Sequence, residues 1–286
     1  MTHAHPHTSP DGHHQHDVDG QAEILDLDAE VLAEHTVAIT KWLPIQEPPG
    51  QIVDLGCGTG AGTFTLLDRF PEAHITAVDV SARHLQRLWE KACARGVAGC
   101  VRTIQADLDE ADWPDLGTPD LVWASASMHH VAHPDRALRH VHDLLAPGGL
   151  LAVVELSGFP RFLPEHAPEN RPGLEERCHE ASDRLHAEHV PHRGADWGPK
   201  LAEAGFTVEG ERTIAVNIVG SDSKAVGAYA LGSLQRMRHS VADALSAEDL
   251  AAVDRLLDVG SPHSILRRDD LAVRTERTVW AARRTD

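Results

Sequence analysis

Apolar and polar residues alternate along the middle of the chain in a pattern that predicts strands separated by helices. Short apolar runs, each about the length of a buried strand, lie at 51–55, 73–78, 101–108, 119–125 and 150–155. Between these runs, apolar residues recur at helical spacing in 63–70, 81–95 and 135–145. Strands that alternate with helices in this way form a parallel sheet with helices on both faces. We therefore predict an α/β fold with a doubly wound sheet.

Two later segments also have the pattern of strands. Residues 206–216 form one run, after a short predicted helix at 197–204 that Asp196 would cap. Residues 273–282 at first alternate polar and apolar side chains, which is typical of a strand with one solvated face. We expect this closing strand to pair antiparallel with its neighbours.

Three segments outside the alternating pattern are predicted to be helical cap insertions. They occupy about 21–44, 157–194 and 222–260. In the last of them, Ser246 and Asp249 have the spacing of a capping box at the start of a helix. Insertions after strand ends lie over the edge of the sheet where ligands bind, so we expect these segments to enclose a substrate. The pattern of the first segment fits equally a helix that only packs on the sheet.

The first twenty residues differ from the rest of the chain. They include six histidines among small and polar residues, with almost nothing apolar. Such a segment cannot bury enough surface to fold, so we predict a disordered tail at 1–20 and a single domain at 21–286. Histidine clusters can bind transition metals. No cysteine or carboxylate arrangement beside these histidines completes a defined site, and we predict no metal.

The charge balance argues against nucleic acid as a partner. The 286 residues include 26 basic and 44 acidic side chains, a formal net charge of −18, which opposes binding to phosphates. The sequence has no apolar run of about twenty residues and no signal-peptide pattern. Its four cysteines show no paired spacing. We therefore expect a cytoplasmic protein with no membrane partner, either a monomer or a homodimer, that acts on a small molecule.

A glycine-rich turn after the first predicted strand is the most informative feature of the chain. The sequence Asp54-x-Gly56-x-Gly58-x-Gly60 joins that strand to the first helix of the alternating pattern. Glycine at such a turn accepts positive φ and has no Cβ, so the backbone can approach a ligand closely at a helix N-terminus. We expect a bulkier residue at Gly56 or Gly58 to block the pocket.

The acid before these glycines, together with acids at the next two strand ends, resembles the class I S-adenosylmethionine (SAM) dependent methyltransferases. Asp54 and the glycines match motif I of that family. Asp79 and Asp107 end the second and third predicted strands, where the family also has acids. The segments 119–130 and 145–155 resemble further family motifs. The resemblance covers about residues 45 to 157.

The resemblance implies a Rossmann-like, doubly wound, seven-stranded sheet, with the last strand antiparallel and a SAM site at the carboxyl edge. In the family, the acid matching Asp79 binds both ribose hydroxyls, and the acid matching Asp107 accepts from the adenine amino group. The residues implied to bind SAM, or its product S-adenosylhomocysteine (SAH), are Asp54, Gly56, Cys57, Gly58, Gly60, Asp79, Val80, Asp107, Leu108 and Ser125. From the sequence alone, Asp79 could instead cap the helix that begins after Ser81.

His130, His129 and Glu155 are the candidate catalytic residues. The two histidines follow the fourth strand, where the family places the methyl group, and histidine transfers protons near neutral pH. Methyl transfer mainly requires alignment in a closed pocket, and a base is needed only if the acceptor must lose a proton. Glu155 ends the fifth strand and could bind a substrate amine. The alternatives are a packed loop histidine, and a glutamate paired with an arginine of a cap.

We predict a SAM-dependent methyltransferase that acts on a small-molecule acceptor, aromatic or from secondary metabolism. One alternative is an NAD(P)-dependent oxidoreductase, because Gly56-x-Gly58-x-x-Ala61 also fits the dinucleotide pattern. That class often carries a Tyr-x-x-x-Lys pair, whereas the one tyrosine here, Tyr229, is followed four residues later by Ser233. The other alternative is a protein that binds SAM without catalysis, because a fold alone does not fix function.

Overall fold

A seven-stranded mixed sheet forms the centre of the computed structural model, which describes residues 11–187, 190–221 and 223–285. Its strands are β1 Gln51–Leu55, β2 His74–Asp79, β3 Val101–Gln105, β4 Leu121–Ser125, β5 Leu150–Leu156, β6 Thr207–Val219 and β7 Ala272–Arg283. They are ordered β3-β2-β1-β4-β5-β7-β6. The first five pair in parallel, and β7 runs antiparallel to both β5 and β6. The predicted fold class, including the antiparallel closing strand, is confirmed.

Helices join these strands as the periodicity predicts. They are α1 Asp11–Val31, α2 Ala33–Trp42, α3 Ala61–Arg69, α4 Ala82–Ala94, α5 Pro134–Leu144, α6 Leu174–His186, α7 Gly198–Glu203, α8 Ala225–Ser240 and α9 Ala247–Leu257. Local sequence sets several of the starts. Ser81 caps α4 by accepting from the backbone N–H of His84, and Ser246 caps α9 by accepting from Asp249.

Both faces of the sheet are buried, because neighbouring residues of each strand point to opposite sides. In β1, Ile52 packs in the cluster under α2, α3 and α4, while Val53 packs in the cluster under α5 and α7. In β4, Trp123 packs in the first of these clusters and Val122 in the second. Strands that are apolar on both sides are typical of parallel sheets covered by helices.

A third apolar cluster lies outside the two that cover the sheet. It contains residues of α1, α6, α8 and α9 together with the ends of β6 and β7. The rings of Phe162 and Tyr229 meet edge to face in it, with centroids 5.2 Å apart. The three segments predicted as caps therefore pack on one another.

The N-terminal region differs in part from the prediction of a disordered tail. Helix α1 begins at Asp11, so residues 11–20 have helical backbone, while residues 1–10 lie outside the described part of the chain. No proline follows Pro10 until Pro44. A helix stabilised by packing at its C-terminal half extends at low cost through such a sequence, because propagation is easier than nucleation.

Within the described ranges, none of the helices is both long enough and apolar enough to cross a membrane.

Candidate functional site

A cleft of about 540 Å³ opens at the carboxyl edge of the parallel strands. Its walls come from the turn after β1, the ends of β2, β3 and β4, and helix α1. In doubly wound sheets this edge is where ligands bind, beside the point at which strand order reverses. The order here reverses at β1, because β2 lies on one side of it and β4 on the other.

The glycine turn has the conformation that its sequence requires. Gly56, Gly58 and Gly60 have φ of +66°, +52° and +99°, which L side chains rarely adopt. A Cβ on Gly56 would lie 2.3 Å from the Cβ of Ser127, and one on Gly58 would lie 3.3 Å from Leu25. A side chain at Gly56 would therefore collide with the loop after β4, whose Ser127 is itself on the wall of the cleft.

Asp54 is buried behind this turn. Its carboxyl group is 2% exposed, lines the cleft and accepts a 2.6 Å hydrogen bond from the hydroxyl of Thr63. Burial raises the pKa of Asp54 to about 7, and the nearby charge of Asp79 adds to the rise. A cation that entered the cleft would favour the ionised carboxylate and lower that pKa again.

Asp79 organises the turn from the end of β2. Its carboxylate accepts from the backbone N–H groups of Gly58 and Ser81, both at 2.8 Å, and lies 3.2 Å from Nδ1 of His84. Burial opposes ionisation, but these hydrogen bonds outweigh it and lower the pKa of Asp79. The N-cap of α4 is Ser81 and not Asp79, but Asp79 accepts from the N–H of that cap residue and also lines the cleft.

The remaining predicted cofactor residues occupy the same cleft, with one exception. Val80, Asp107, Leu108 and Ser125 lie on its walls, as does Cys57 of the turn. Asp107 accepts from the backbone N–H of Asp109 at 2.8 Å, in a turn just beyond the end of β3.

Gly60 is the exception. It is not among the wall residues, and it precedes the first residue of α3 in a left-handed conformation. A Cβ there would lie 2.7 Å from the ring of Phe64, so packing also requires glycine at this position. The contact of Gly60 with a cofactor stays a prediction.

The three candidate catalytic residues lie together, but only one of them faces the cleft. His130 is exposed on the cleft wall. His129 and Glu155 are 4% and 2% exposed, and neither is among the wall residues. The carboxylate of Glu155 lies 2.5 Å from Nδ1 of His129 and accepts from its backbone N–H at 3.2 Å. His129 and Glu155 therefore do not project into the pocket, because each satisfies the other's buried polar atoms.

His130 is electrically neutral near physiological pH. Burial and the positive charge of His129, Arg193 and Arg236 lower its pKa to about 4, against the opposing effect of Glu155. The neutral form therefore dominates at pH 7. A neutral ring nitrogen can accept a hydrogen bond or a proton.

Helix α1 forms the roof of the cofactor end, and the sequence did not indicate which of its residues do so. Along this helix Gln21, Leu25, Asp28 and Ala29 line the cleft, with Asp28 at the end away from the glycine turn. Next to them, Asp26 accepts from the hydroxyl of Thr59 at 2.5 Å and pairs with Arg87 and Lys91 of α4.

At the other end of the cleft, a polar cluster joins three distant parts of the chain. Arg277 of β7 donates from Nη2 to both carboxylate oxygens of Asp28, at 2.8 Å each. Tyr229 of α8 donates to Asp28 at 2.6 Å. Sequence reasoning missed Asp28 and Arg277, the pair that lines the cleft.

The donors and acceptors present fit SAM. Asp54 offers a carboxylate where the glycine turn leaves room for an ammonium, Asp79 offers one beside it, and the backbone after β3 lies next to Asp107 and Leu108. Three residues of the turn, Gly56, Gly58 and Gly60, have positive φ and carry no Cβ atom. Among the residues the structure describes, no group of three or more His, Cys, Asp or Glu is placed to hold a metal ion, and the histidines at 3–7 lie outside those residues.

Comparison with known proteins identifies the domain. Residues 53–151 match the family described as a methyltransferase domain. Over 123 residues the chain is 40% identical to a trans-aconitate 2-methyltransferase of Acidovorax sp. (strain JS42), a segment that covers 42% of this chain and 45% of that protein. The match supports the resemblance to methyltransferases over this segment of the chain. It spans less than half of the relative's length, so it does not fix the activity of the whole protein.

Solved structures show the same fold. BH2331 of Bacillus halodurans C-125, provisionally described as a methyltransferase, has a TM-score of 0.56 at 15% identity and covers 88% of this chain and 99% of its own. A phosphoethanolamine N-methyltransferase 2 of Haemonchus contortus, solved with phosphomonomethylethanolamine and SAH, has a TM-score of 0.51 at 14% identity and covers 88% of this chain and 53% of its own. At such identities the likeness concerns the fold alone.

Proposed function

We propose that the protein transfers a methyl group from SAM to a small-molecule acceptor, since residues 53–151 match the methyltransferase-domain family. The observation that carries the proposal is a single cleft that joins Asp54, Asp79 and Asp107 to His130. The acids suit a cationic cofactor at one end. The other end is left for an acceptor beside a neutral imidazole.

The chain's own residues would hold the cofactor as follows. Asp54 would bind the ammonium group, Asp79 the ribose hydroxyls, and the backbone at Leu108 the adenine ring. When bound there, SAM supplies an electrophilic methyl group on a positively charged sulfur. Helix α1 would cover the site and exclude water, which strengthens each electrostatic contact inside.

His130 is the candidate group for moving a proton. An acceptor hydroxyl or amine that attacks the methyl carbon must lose its proton, and the neutral ring of His130 would take it. His129 and Glu155 would position that ring from behind, since the rings of His129 and His130 have centroids 4.2 Å apart.

Charge and architecture support further inferences about the acceptor, the cellular location and the domain organisation. The formal net charge of −18 favours a small molecule over nucleic acid. We infer a cytoplasmic enzyme of secondary metabolism, monomeric or homodimeric. We also infer a single domain over 21–286, in which the segments near 21–44, 157–194 and 222–260 enclose the acceptor; their shared apolar cluster supports this.

Two measurements test the proposal. In calorimetry, SAM and SAH should bind and NAD should not; binding of NAD alone would favour the oxidoreductase. The protein should then convert SAM to SAH in the presence of a panel of small phenols, amines and carboxylic acids, with a methylated product detected by mass. SAM binding without turnover on any acceptor would support the non-catalytic alternative.

A further inference from the structure

The cluster of Asp28, Tyr229 and Arg277 lies on the acceptor side of the cleft. The glycine turn follows β1 and His130 follows β4, whereas Arg277 lies on β7, two strands beyond β4. Arg277 pairs with Leu156 at the carboxyl end of β5. A molecule placed between His130 and β7, away from the cofactor residues at β1 and β2, therefore meets Arg277 at its far end.

Arg277 has hydrogen-bond donors that the protein does not use. Both of its bonds to Asp28 leave from Nη2. Nε is buried without a partner, and no described residue accepts from Nη1. Burial alone would lower the pKa of Arg277, but the nearby carboxylates of Asp28 and Glu155 raise it, and the guanidinium remains charged. A buried charged group with unused donors favours a ligand that brings an oxygen acceptor.

The rest of the cleft limits how much negative charge that ligand can carry. Arg277 is the only lysine or arginine among the described residues on the cleft walls, and Asp28 already neutralises it. The acidic wall residues are Asp28, Asp54, Asp79, Asp107 and Asp109. Arg193 and Arg236 act on His130 from outside the walls, so each additional carboxylate on an acceptor would face like charges without a wall cation to pair with. A molecule with several carboxylates is therefore disfavoured.

We propose that Arg277 determines acceptor specificity by binding one oxygen acceptor, a carboxylate or a carbonyl, on the molecule to be methylated. The inference rests on the proposed methyltransferase function and narrows its acceptor class. Asp28 and Tyr229 hold the guanidinium in place and set its charge balance. Because they lie on α1 and α8, the acceptor site is complete only when both caps are closed on the sheet.

Calorimetry on the wild-type protein saturated with SAH gives the first test. The probes are benzoate, benzamide, benzyl alcohol and trans-aconitate; benzamide keeps the carbonyl oxygen that benzyl alcohol lacks. Benzoate, benzamide or both should bind at least about tenfold more tightly than benzyl alcohol, and trans-aconitate no more tightly than benzoate. Tighter binding of trans-aconitate, or failure of both benzoate and benzamide to exceed benzyl alcohol, would overturn the proposal.

The variant Asp28→Asn tests the charge balance directly. It removes the neutralising charge but keeps an oxygen that can accept from Tyr229 and Arg277. The affinity for benzoate and for trans-aconitate should rise by about tenfold, while that for benzamide changes little. Unchanged benzoate and trans-aconitate affinity in the folded variant would contradict the role of Arg277.

A matched control concerns Arg283, which lies on the same strand as Arg277. Glu209→Gln removes the carboxylate partner of Arg283, which pairs with the first residue of β5 at the opposite edge of the sheet, and should alter no probe affinity. Should Asp28→Asn not fold, the wild-type series alone decides the question. The affinity for SAH, measured first, separates a failure of the proposed function from a failure of the role of Arg277. If SAH does not bind, the proposed function is overturned. If SAH binds but the probes do not follow the expected order of affinity, only the role of Arg277 is overturned.

Discussion

Glu155 holds both ends of His129: its carboxylate accepts from the backbone N–H at 3.2 Å and lies 2.5 Å from the ring Nδ1. Both residues are buried, so the pair is shielded from water. The ring of His129 in turn lies against that of His130, which faces the cleft. Glu155 therefore acts on the cleft through two histidines and not by direct contact.

Glu155→Gln should weaken this arrangement without touching the cofactor end. A buried hydrogen bond to a charged acceptor is lost, so the free energy of unfolding should fall by about 1–3 kcal/mol. Turnover should fall by about tenfold, because the supporting ring is no longer fixed, with SAH affinity unchanged. Glu209→Gln, in an exposed ion pair, is the control and should cost at most about 1 kcal/mol. Wild-type turnover in Glu155→Gln would show that the pair only stabilises the fold.

Asp79→Ala should affect both ligand binding and the empty protein. SAM affinity should fall by about 1–3 kcal/mol if the carboxylate holds the ribose hydroxyls. The ligand-free protein should also be less stable, because the N–H groups of Gly58 and Ser81 lose their shared acceptor. Calorimetry and thermal unfolding measure the two effects.

Asp107→Ala is a suitable comparison for Asp79→Ala. Its carboxylate accepts from the N–H of Asp109, in an exposed turn, so the ligand-free stability should change less. Unchanged SAM affinity in Asp79→Ala, with reduced stability, would assign Asp79 to the turn alone.

The parts of the site that the sequence could predict are those coded locally. The strand, the glycines and Asp54 are consecutive, and Asp79 ends the next parallel strand; their common edge follows from the doubly wound topology. Local pattern also predicts α4 and α9 through their caps, Ser81 and Ser246.

The missed parts depend on pairing between distant segments. Asp28 and Arg277 are 249 positions apart, and Asp26 and Lys91 are 65 apart. Nothing in the periodicity of α1 tells which of its acids will face a cation of the sheet. The burial of Glu155 was missed for the same reason, since its partner His129 comes from a loop after a different strand.

The affinity for SAM should depend on pH through Asp54. The folded, ligand-free protein has a pKa of about 7 at this carboxyl, whereas a bound ammonium favours the ionised form. Below pH 7 the proton must therefore leave on binding, and affinity should fall by up to about tenfold per pH unit. Above pH 7 it should level off. Calorimetry from pH 5.5 to 8.5, in buffers of different ionisation enthalpy, measures both affinity and proton release.

Asp54→Asn provides the control for this linkage. Asn cannot ionise, so the affinity should be lower and flat across the same range, apart from any proton taken up elsewhere. Asp79 stays ionised there, because its pKa is lowered. Identical pH dependence in wild type and Asp54→Asn would show that another group carries the linkage.

His130→Ala should separate catalysis from binding. If the ring takes the acceptor's proton, turnover should fall by about 10²-fold or more, with SAH affinity unchanged. Since the pKa of His130 is lowered to about 4, its neutral form persists as the pH falls, and His130 should produce no loss of turnover at pH 6.5. Wild-type turnover in His130→Ala across the accessible pH range would leave alignment as the main catalytic device.

Asp26 should control how long the cofactor stays bound. It ties α1, the roof of the cleft, to the hydroxyl of Thr59 in the glycine turn and to two cations of α4. Because α1 covers the cofactor end, a ligand can leave only when that helix moves. Asp26→Ala removes all three contacts at once, so SAH should dissociate about tenfold faster. Stopped-flow release of SAH measures the rate.

Amide hydrogen exchange gives a second readout, because a loosened α1 should exchange faster while β1 and β4 do not. The control is Asp68→Ala. It breaks the exposed ion pair between Asp68 and Arg95, at the C-terminal end of α4, and leaves the contacts of α1 in place. Neither rate should change in it. If SAH release and α1 exchange in Asp26→Ala match those of the control, α1 is held by its apolar contacts with α8 and the Asp28–Arg277 pair. Opening at the acceptor end would then limit release, since that pair is the other tie between α1 and the sheet.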